Sequence, residues 1–86
     1  VLHPELYNRL VAWRNAEASR LGLPVYTVIQ QKAILGITNL LPEDKTTLLR
    51  IPYFGKKGVE KYGDELLEMV RMYKKESGIA ETLFSD

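Results

Sequence analysis

A chain of 86 residues is shorter than the roughly 100–200 residues of a typical domain, so it can form one small domain with one modest core. Its 12 Lys and Arg nearly cancel its 11 Asp and Glu, which argues against a simple polybasic nucleic-acid-binding segment, and its 45% hydrophobic content argues against disorder. The lack of cysteine excludes a disulfide framework, a thiolate nucleophile and a zinc site built on cysteine.

The N-terminal part of the chain predicts one helix followed by a connector. In residues 3–21 apolar side chains recur at the spacing of one helix face, and Gly22 ends the run. The residues predicted to form that face are Leu6, Leu10, Trp13 and Ala16. Residues 23–29 are rich in β-branched side chains, but the chain has no partner strand, so we expect an extended or single-turn connector. The side chains that it would bury are those of Val25, Val28 or Ile29.

Further helical segments are predicted after the connector. Residues 30–41 repeat the helical spacing until Pro42 interrupts it, and a short helix follows, opened by two acidic residues. The buried side of that short helix is predicted to consist of Leu48, Leu49 and Ile51. Residues 53–63 are predicted to be a turn that runs into a helix, and residues 64–76 are the clearest helix, which Gly78 terminates.

These segments predict an all-α domain followed by a tail. Short joints and the lack of a strand pair indicate a compact bundle of about five helices. We assign residues 1–78 to the helical domain and residues 79–86 to a C-terminal tail, which docks through Leu83 and Phe84 or leads into a following segment. The chain begins at Val1 rather than Met, so we expect a piece of a longer polypeptide. No apolar run is long enough for a membrane span, so we expect no membrane partner. The lack of cysteine fits a reducing compartment, so we expect a cytoplasmic, intracellular protein.

Residues that carry enzyme chemistry are scarce. The sole histidine, His3, lies at the chain start without a second histidine, so we expect a solvated side chain rather than a catalytic or metal-binding one. The carboxylates of Asp64, Glu65 and Glu68 are predicted to form a solvated helix face. The Gly-Lys-Lys sequence at residues 55–57 lacks the preceding strand, the glycine spacing and the Ser or Thr of a phosphate-binding loop. We therefore expect no catalytic residue, metal site or cofactor in this chain.

The near-neutral total charge hides a local excess of cations. Between Lys45 and Tyr62 the chain has five Lys and Arg against one Glu, and three aromatic residues are interleaved with them. Cations that contact phosphates beside aromatic faces that stack on bases are the components of a surface that binds single-stranded nucleic acid. Reasoning from the residues alone leaves nucleic-acid binding and an anchor for another protein as alternatives.

Residues 48–63, LLRIPYFGKKGVEKYG, resemble the signature segment of the HRDC domain, the helicase and RNase D C-terminal module. In that family a leucine and an isoleucine precede a glycine hairpin, which leads into a basic helix ending in Tyr-Gly or Phe-Gly. Three other segments are similar in the same order: the first helix with Leu6, Leu10 and Arg14, the Pro-Tyr connector at 23–29, and the segment at 34–42 that ends in a proline. The resemblance covers the chain from about Leu6 to Tyr73.

The resemblance implies a compact bundle of about five helices with a helix-hairpin-helix-like turn, serving as an accessory nucleic-acid-binding domain. It is most like the C-terminal domain of a RecQ-type ATP-dependent DNA helicase, which helps to position single-stranded or partly duplex DNA for unwinding in repair and recombination. The resemblance implies that the fragment itself is no enzyme and that ATP and Mg²⁺ are bound only by the helicase core of the parent protein. Besides DNA, that helicase core is the second expected partner of the domain, and in a bacterium the protein would be nucleoid-associated. The alternatives are an RNase D-type exonuclease parent and a protein-docking role for the tail and the acidic face.

Two positions depart from the family pattern. Tyr53 stands where family members usually have the first of two hairpin glycines, and Gly58 stands where many have a basic residue. Because a tyrosine is costly at positive φ, the sequence does not predict an anion-binding hairpin unless Tyr53 adopts another backbone conformation and stacks instead. At Gly58 we expect one phosphate contact fewer than in those members.

The resulting prediction is a weak nucleic-acid-binding surface. Phosphate contacts are assigned to Lys56, Lys57 and Lys61, with Arg50 and Lys32 as flanking contacts, and stacking faces to Tyr26 and Tyr53. About three phosphate contacts to a single strand imply a slope of about −2 for the logarithm of affinity against the logarithm of salt concentration.

Overall fold

Four α-helices and one 3-10 turn make up residues 2–78, the part of the chain that the computed structural model describes. The elements are α1 (Pro4–Leu21), the 3-10 turn (Val25–Thr27), α2 (Gln31–Leu40), α3 (Lys45–Leu48) and α4 (Lys56–Ser77). The all-α prediction is confirmed within these residues, whereas the predicted number of about five helices is too high by one. The predicted tail, with Leu83 and Phe84, lies outside the described residues.

Helices α1 and α4 pack against each other in an antiparallel arrangement. Trp13 meets Tyr62 edge to face with ring centroids 5.0 Å apart, and His3 meets Tyr73 with ring centroids 5.3 Å apart. His3 Nδ1 and the Tyr73 hydroxyl share a hydrogen bond of 2.7 Å. The histidine expected to be solvated is therefore half-buried, because Tyr73 offers it a polar partner near the end of α4.

One hydrophobic core connects the helices. Its most deeply buried side chains are Leu6, Leu10, Ile34, Ile37, Leu48, Leu66 and Val70. The predicted inner face of α1 is correct for its first two leucines but wrong for Ala16, which is exposed, whereas Ala18 is buried. Ala16 and Ala18 lie at equal angles on either side of the line between Leu6 and Leu10, because each residue turns the helix by 100°. Helix periodicity therefore does not choose between them, and the packing of the neighbouring segments decides which one is buried.

The connector and α2 close the core from the side. Val28 and Ile29 are buried as expected, while Val25 in the 3-10 turn is exposed. At Gly36 an added Cβ would lie 3.0 Å from Cγ2 of Ile51, so α2 closely approaches the segment that precedes α4. The prediction that Leu49 is buried is wrong, since 47% of it is exposed.

Helix α4 is one continuous helix that begins at Lys56. The sequence predicts a turn running into a helix over residues 53–63 and the clearest helix over residues 64–76. The two glycines at 58 and 63 do not interrupt it. An added Cβ at Gly58 would lie 2.5 Å from Cε1 of Phe54, a ring that is only 5% exposed. Gly58 therefore stands inside a helix because the Phe54 ring needs that space, and this close approach also explains why a larger basic residue is absent there.

None of the helices in the described part of the chain combines the length and the apolar character that crossing a membrane would require.

Candidate nucleic-acid interface

Two of the predicted site residues, Tyr26 and Lys32, line one groove of about 690 Å³ beside the start of α2. The other lining residues are Gln30, Gln31 and Leu35. Tyr26 is 67% exposed and is not part of the core. The residues buried in this region are Val28 and Ile29, which follow the 3-10 turn. The groove thus combines an aromatic face, two amides, a cation and an aliphatic side chain.

Lys32 also joins Tyr53 to this groove. Its Nζ lies 5.0 Å from the centroid of the Tyr53 ring, within the range of a cation–π contact. Lys32 and Gly36 are one turn apart on the same side of α2, the side that rests on the segment before α4. Lys32 therefore lies beside both Tyr26 and Tyr53, although the three residues are distant in the sequence.

Tyr53 has a left-handed backbone conformation with φ 67°, and 59% of it is exposed. A residue with a Cβ pays about 1–2 kcal/mol in this region, which is why the family's glycine would be the easier choice. The chain nevertheless keeps the positive-φ position of the hairpin, so the alternative conformation considered from the sequence does not occur. In this conformation the Tyr53 ring lies on the surface, beside Lys32.

The first turn of α4 presents two cations at an open helix end. Lys56 and Lys57 are the first two residues of α4, and the N-cap residue Gly55 supplies no side-chain hydrogen bond. An added Cβ at Gly55 would meet nothing within 4 Å, so the space there is open. The unpaired N–H groups and the helix dipole make such an end favourable for an anion such as a phosphate.

Lys61 and Arg50 are less closely connected to the groove. Lys61 lies one turn after Lys57 on the exposed side of α4, and its Nζ is 5.3 Å from the centroid of the Tyr62 ring. It approaches Glu17, whose pKa is held below its usual value mainly by a hydrogen bond from Arg20, with a smaller electrostatic contribution from Lys61. Arg50 is exposed in the turn after α3. Its backbone N–H donates to the Thr47 carbonyl at 3.0 Å, whereas its guanidinium group has no ion-pair partner among residues 2–78.

Ion pairing separates the predicted cations from most of the others. All five, Lys32, Arg50, Lys56, Lys57 and Lys61, are exposed and have no carboxylate oxygen within 4.0 Å among residues 2–78. In contrast, five of the remaining cations are ion-paired: Arg9, Arg20, Lys45, Arg71 and Lys74. The charges in the predicted surface are thus available for a ligand, while most charges elsewhere are already neutralised.

The acidic face that the docking alternative requires is partly neutralised. Asp64 forms an ion pair with Lys45, in which Oδ1 lies 3.1 Å from Nζ, and Glu68 forms an ion pair with Arg71. No cluster of His, Cys, Asp or Glu suited to a metal ion occurs in the described residues.

The sequence reasoning missed three residues of the groove and the residue that positions one of them. Gln30, Gln31 and Leu35 follow the Pro-Tyr connector directly, yet none belongs to a residue type that signals nucleic-acid binding by itself. The amide Nε2 of Gln31 donates a hydrogen bond of 2.9 Å to the Tyr7 hydroxyl of α1. This contact joins residues in two different helices, so no local sequence pattern could have revealed it.

Comparison with known proteins identifies the family of the chain. The family model for the HRDC domain matches residues 3–70. Curated relatives include the ATP-dependent DNA helicase UvrD2 of Mycobacterium bovis and of two strains of Mycobacterium tuberculosis, each 36% identical over 67 residues. The match covers 78% of this chain but 10% of each relative. No solved structure matches the chain significantly. A RecQ-type parent stays a prediction, while the family match shows that this chain belongs to the HRDC domain family.

Proposed function

We propose that this chain is the accessory nucleic-acid-binding domain of an ATP-dependent DNA helicase and positions single-stranded or partly duplex DNA for unwinding. The similarity to helicases called UvrD2 supports a helicase parent in general. The finer RecQ-type assignment, and a role in repair and recombination, rest on the resemblance of the sequence. ATP and Mg²⁺ would be bound by the helicase core of the parent and strand separation would be performed there, while this domain would hold the strand.

The observation that carries the proposal is the set of exposed cations without carboxylate partners. A carboxylate within 4 Å would compete with a DNA phosphate, and none of the five predicted cations has one among the described residues. Two of them also lie in the first turn of α4, where a bound phosphate would contact backbone N–H groups as well. Phosphate binding would relieve the repulsion between these lysines and the positive end of the helix.

The exposed tyrosines favour a single strand over a duplex. Tyr26 and Tyr53 are both exposed, and both lie beside Lys32. Unpaired bases can stack on such faces, whereas the bases of an intact duplex are already stacked on each other. We therefore expect tighter binding to single-stranded or tailed DNA than to a blunt duplex of the same length.

The proposal is tested by fluorescence anisotropy with labelled single-stranded, tailed and blunt-duplex DNA over a range of salt concentrations. For the wild-type domain we expect weak binding to the single strand, with a slope of about −2 against the logarithm of salt concentration. The variant Lys56→Glu, Lys57→Glu, Lys61→Glu should lose this binding.

A matched control carries the same change of net charge at the other end of α4: Arg71→Glu, Lys74→Glu, Lys75→Glu. It should retain binding if the position of the charge matters rather than the total. Circular dichroism melting checks that each variant is folded. Absence of binding by the wild type at low salt, or equal loss in both variants, would contradict the proposal.

A further inference from the structure

The groove beside the start of α2 has the composition of a pocket for one planar, polar-edged ring. The exposed face of Tyr26 forms one part of its lining, and the aliphatic side chain of Leu35 forms another. Between such walls a nucleobase can stack and bury its faces, because aromatic and apolar groups are tolerant of every base. The amides of Gln30 and Gln31 add hydrogen-bonding groups of the kind that contact base edges.

One of these amides is held in place before any ligand arrives. Gln31 donates from Nε2 to the Tyr7 hydroxyl at 2.9 Å. A long exposed side chain ordinarily loses rotamer freedom when it binds, and this hydrogen bond removes part of that cost in advance. Its carbonyl oxygen and its second N–H make no hydrogen bond with the residues that the structure describes, so a donor and an acceptor are left for a ligand.

A cation lines the same groove that would receive the base. Lys32 lines the groove and at the same time lies over the Tyr53 ring, 5.0 Å from its centroid. A strand with one base in the groove would therefore run past Lys32 towards Tyr53. The lysines at the start of α4 follow Tyr53 by three and four residues.

From this arrangement we infer that the groove is a subsite for one unpaired nucleobase, which stacks on Tyr26 and hydrogen-bonds through its edge to Gln31. Tyr7 acts as a positioning residue, because it contacts Gln31 and does not line the groove. The inference rests on the proposed function and deepens it: the domain would bind bases as well as phosphates.

The test compares a labelled single-stranded oligonucleotide with one of the same length in which every nucleotide is abasic. Wild-type affinity should be about fivefold or more lower for the abasic strand, since stacking of one base contributes about 1–3 kcal/mol. Tyr26→Ala and Gln31→Ala should each weaken binding to the intact strand and leave binding to the abasic strand unchanged within about twofold.

Tyr7→Phe examines the positioning role separately. It keeps the ring of Tyr7 and removes only the acceptor of the Gln31 hydrogen bond. Affinity for the intact strand should fall by about two- to tenfold, the equivalent of one hydrogen bond, with no change for the abasic strand. A merely structural role would weaken both strands equally. Asn39→Ala, which removes another exposed amide near the opposite end of α2, is the matched control and should change neither affinity.

The outcomes distinguish the two proposals. If the wild type binds both strands equally well, or if Gln31→Ala changes both affinities alike, the base subsite is wrong and phosphate binding stands. If neither strand binds at low salt, both the subsite and the proposed function are wrong. If Tyr26→Ala, Gln31→Ala and Tyr7→Phe lose affinity for the intact strand but not for the abasic strand, both the base subsite and the proposed function are supported.

Discussion

Each end of α4 carries two consecutive lysines, but the helix dipole acts on the two pairs in opposite ways. Lys74 and Lys75 occupy the last turn, where the negative end of the helix dipole favours cations, and Lys74 is also ion-paired with Glu43. Lys56 and Lys57 occupy the first turn, where the positive end disfavours them, and neither has a carboxylate partner in residues 2–78.

This difference separates the two pairs by their effect on the stability of the folded helix. The last-turn lysines contribute to helix stability, so no ligand is needed to explain them. The first-turn lysines each oppose the dipole by about 0.3–1 kcal/mol, which makes them a cost to the folded state in the absence of an anion. Four predictions, tested with six variants, can break or sharpen this comparison.

The largest effect is expected when each pair of lysines is replaced by glutamate. Lys56→Glu with Lys57→Glu should weaken single-strand binding about thirtyfold or more, because two phosphate contacts become repulsive, yet it should raise the free energy of unfolding by about 0.6–2 kcal/mol. Lys74→Glu with Lys75→Glu should leave binding nearly unchanged and lower the free energy of unfolding. Anisotropy titration and urea denaturation measure the two quantities. Stability changes of the same sign in both variants would refute the dipole argument.

The next effect concerns the glycine inside the first half of α4. Gly58→Ala should lower the free energy of unfolding by about 1–2 kcal/mol, although alanine is the better helix former, because its Cβ would lie 2.5 Å from the buried Phe54 ring. Gly55→Ala is the matched control, since a Cβ there meets nothing within 4 Å and φ is −89°. Urea denaturation of the two variants gives the comparison. A stabilised Gly58→Ala would mean that the ring moves away at little cost.

A smaller effect on stability is expected at Tyr53. Tyr53→Gly relieves the strain of φ 67° but loses the contact with Lys32 and adds freedom to the unfolded chain, so the free energy of unfolding should change by less than about 1 kcal/mol. Single-strand affinity should nevertheless fall about fivefold or more, because a stacking face is lost. Thermal melting and anisotropy measure the two. Unchanged single-strand affinity would show that Tyr53 does not stack on a base of the bound strand.

The smallest effect is a dependence of stability on acid at the start of α3. The carboxylate of Asp44 accepts a 2.7 Å hydrogen bond from the backbone N–H of Thr47, and the pKa of Asp44 is therefore lowered. A lowered folded-state pKa means that the cap stabilises the fold at neutral pH and that this contribution disappears as the pH falls through that pKa. Asp44→Ala should be less stable than wild type at pH 7, and the difference should vanish in acid. A constant difference across pH would show that the carboxylate charge is unimportant.

Much of the fold could be predicted from local patterns. The bounds of α1 and the end of α4 agree with the prediction to within one residue, because glycines at 22 and 78 provide the left-handed termini that helices need. The start of α4 was less well defined by the sequence, since residues 53–63 were predicted as a turn running into a helix and α4 begins at Lys56. Whether a glycine ends a helix or makes room for a neighbour depends on what packs against it, which here is Phe54.

The candidate site was predictable in part. Positions of the cations and exposed tyrosines follow from the sequence and the family resemblance, and the structure leaves all of them on the surface. Their role in binding nucleic acid stays a prediction. The amides of the groove could not be foreseen, because their only distinction is a contact between Gln31 and a tyrosine in another helix.

The sequence by itself determined the helical class, the family and the segment where cations outnumber acids, because each of these depends on residue types and spacings along one stretch of chain. The tertiary structure alone decided which cations lack a carboxylate partner, and that Lys32 lies beside both Tyr26 and Tyr53. Ion pairs such as Lys45 with Asp64 and Lys74 with Glu43 join residues that are far apart in the sequence. Pairings of this kind depend on how the helices pack, and the hydrophobic core sets that packing without regard to the charges on the surface.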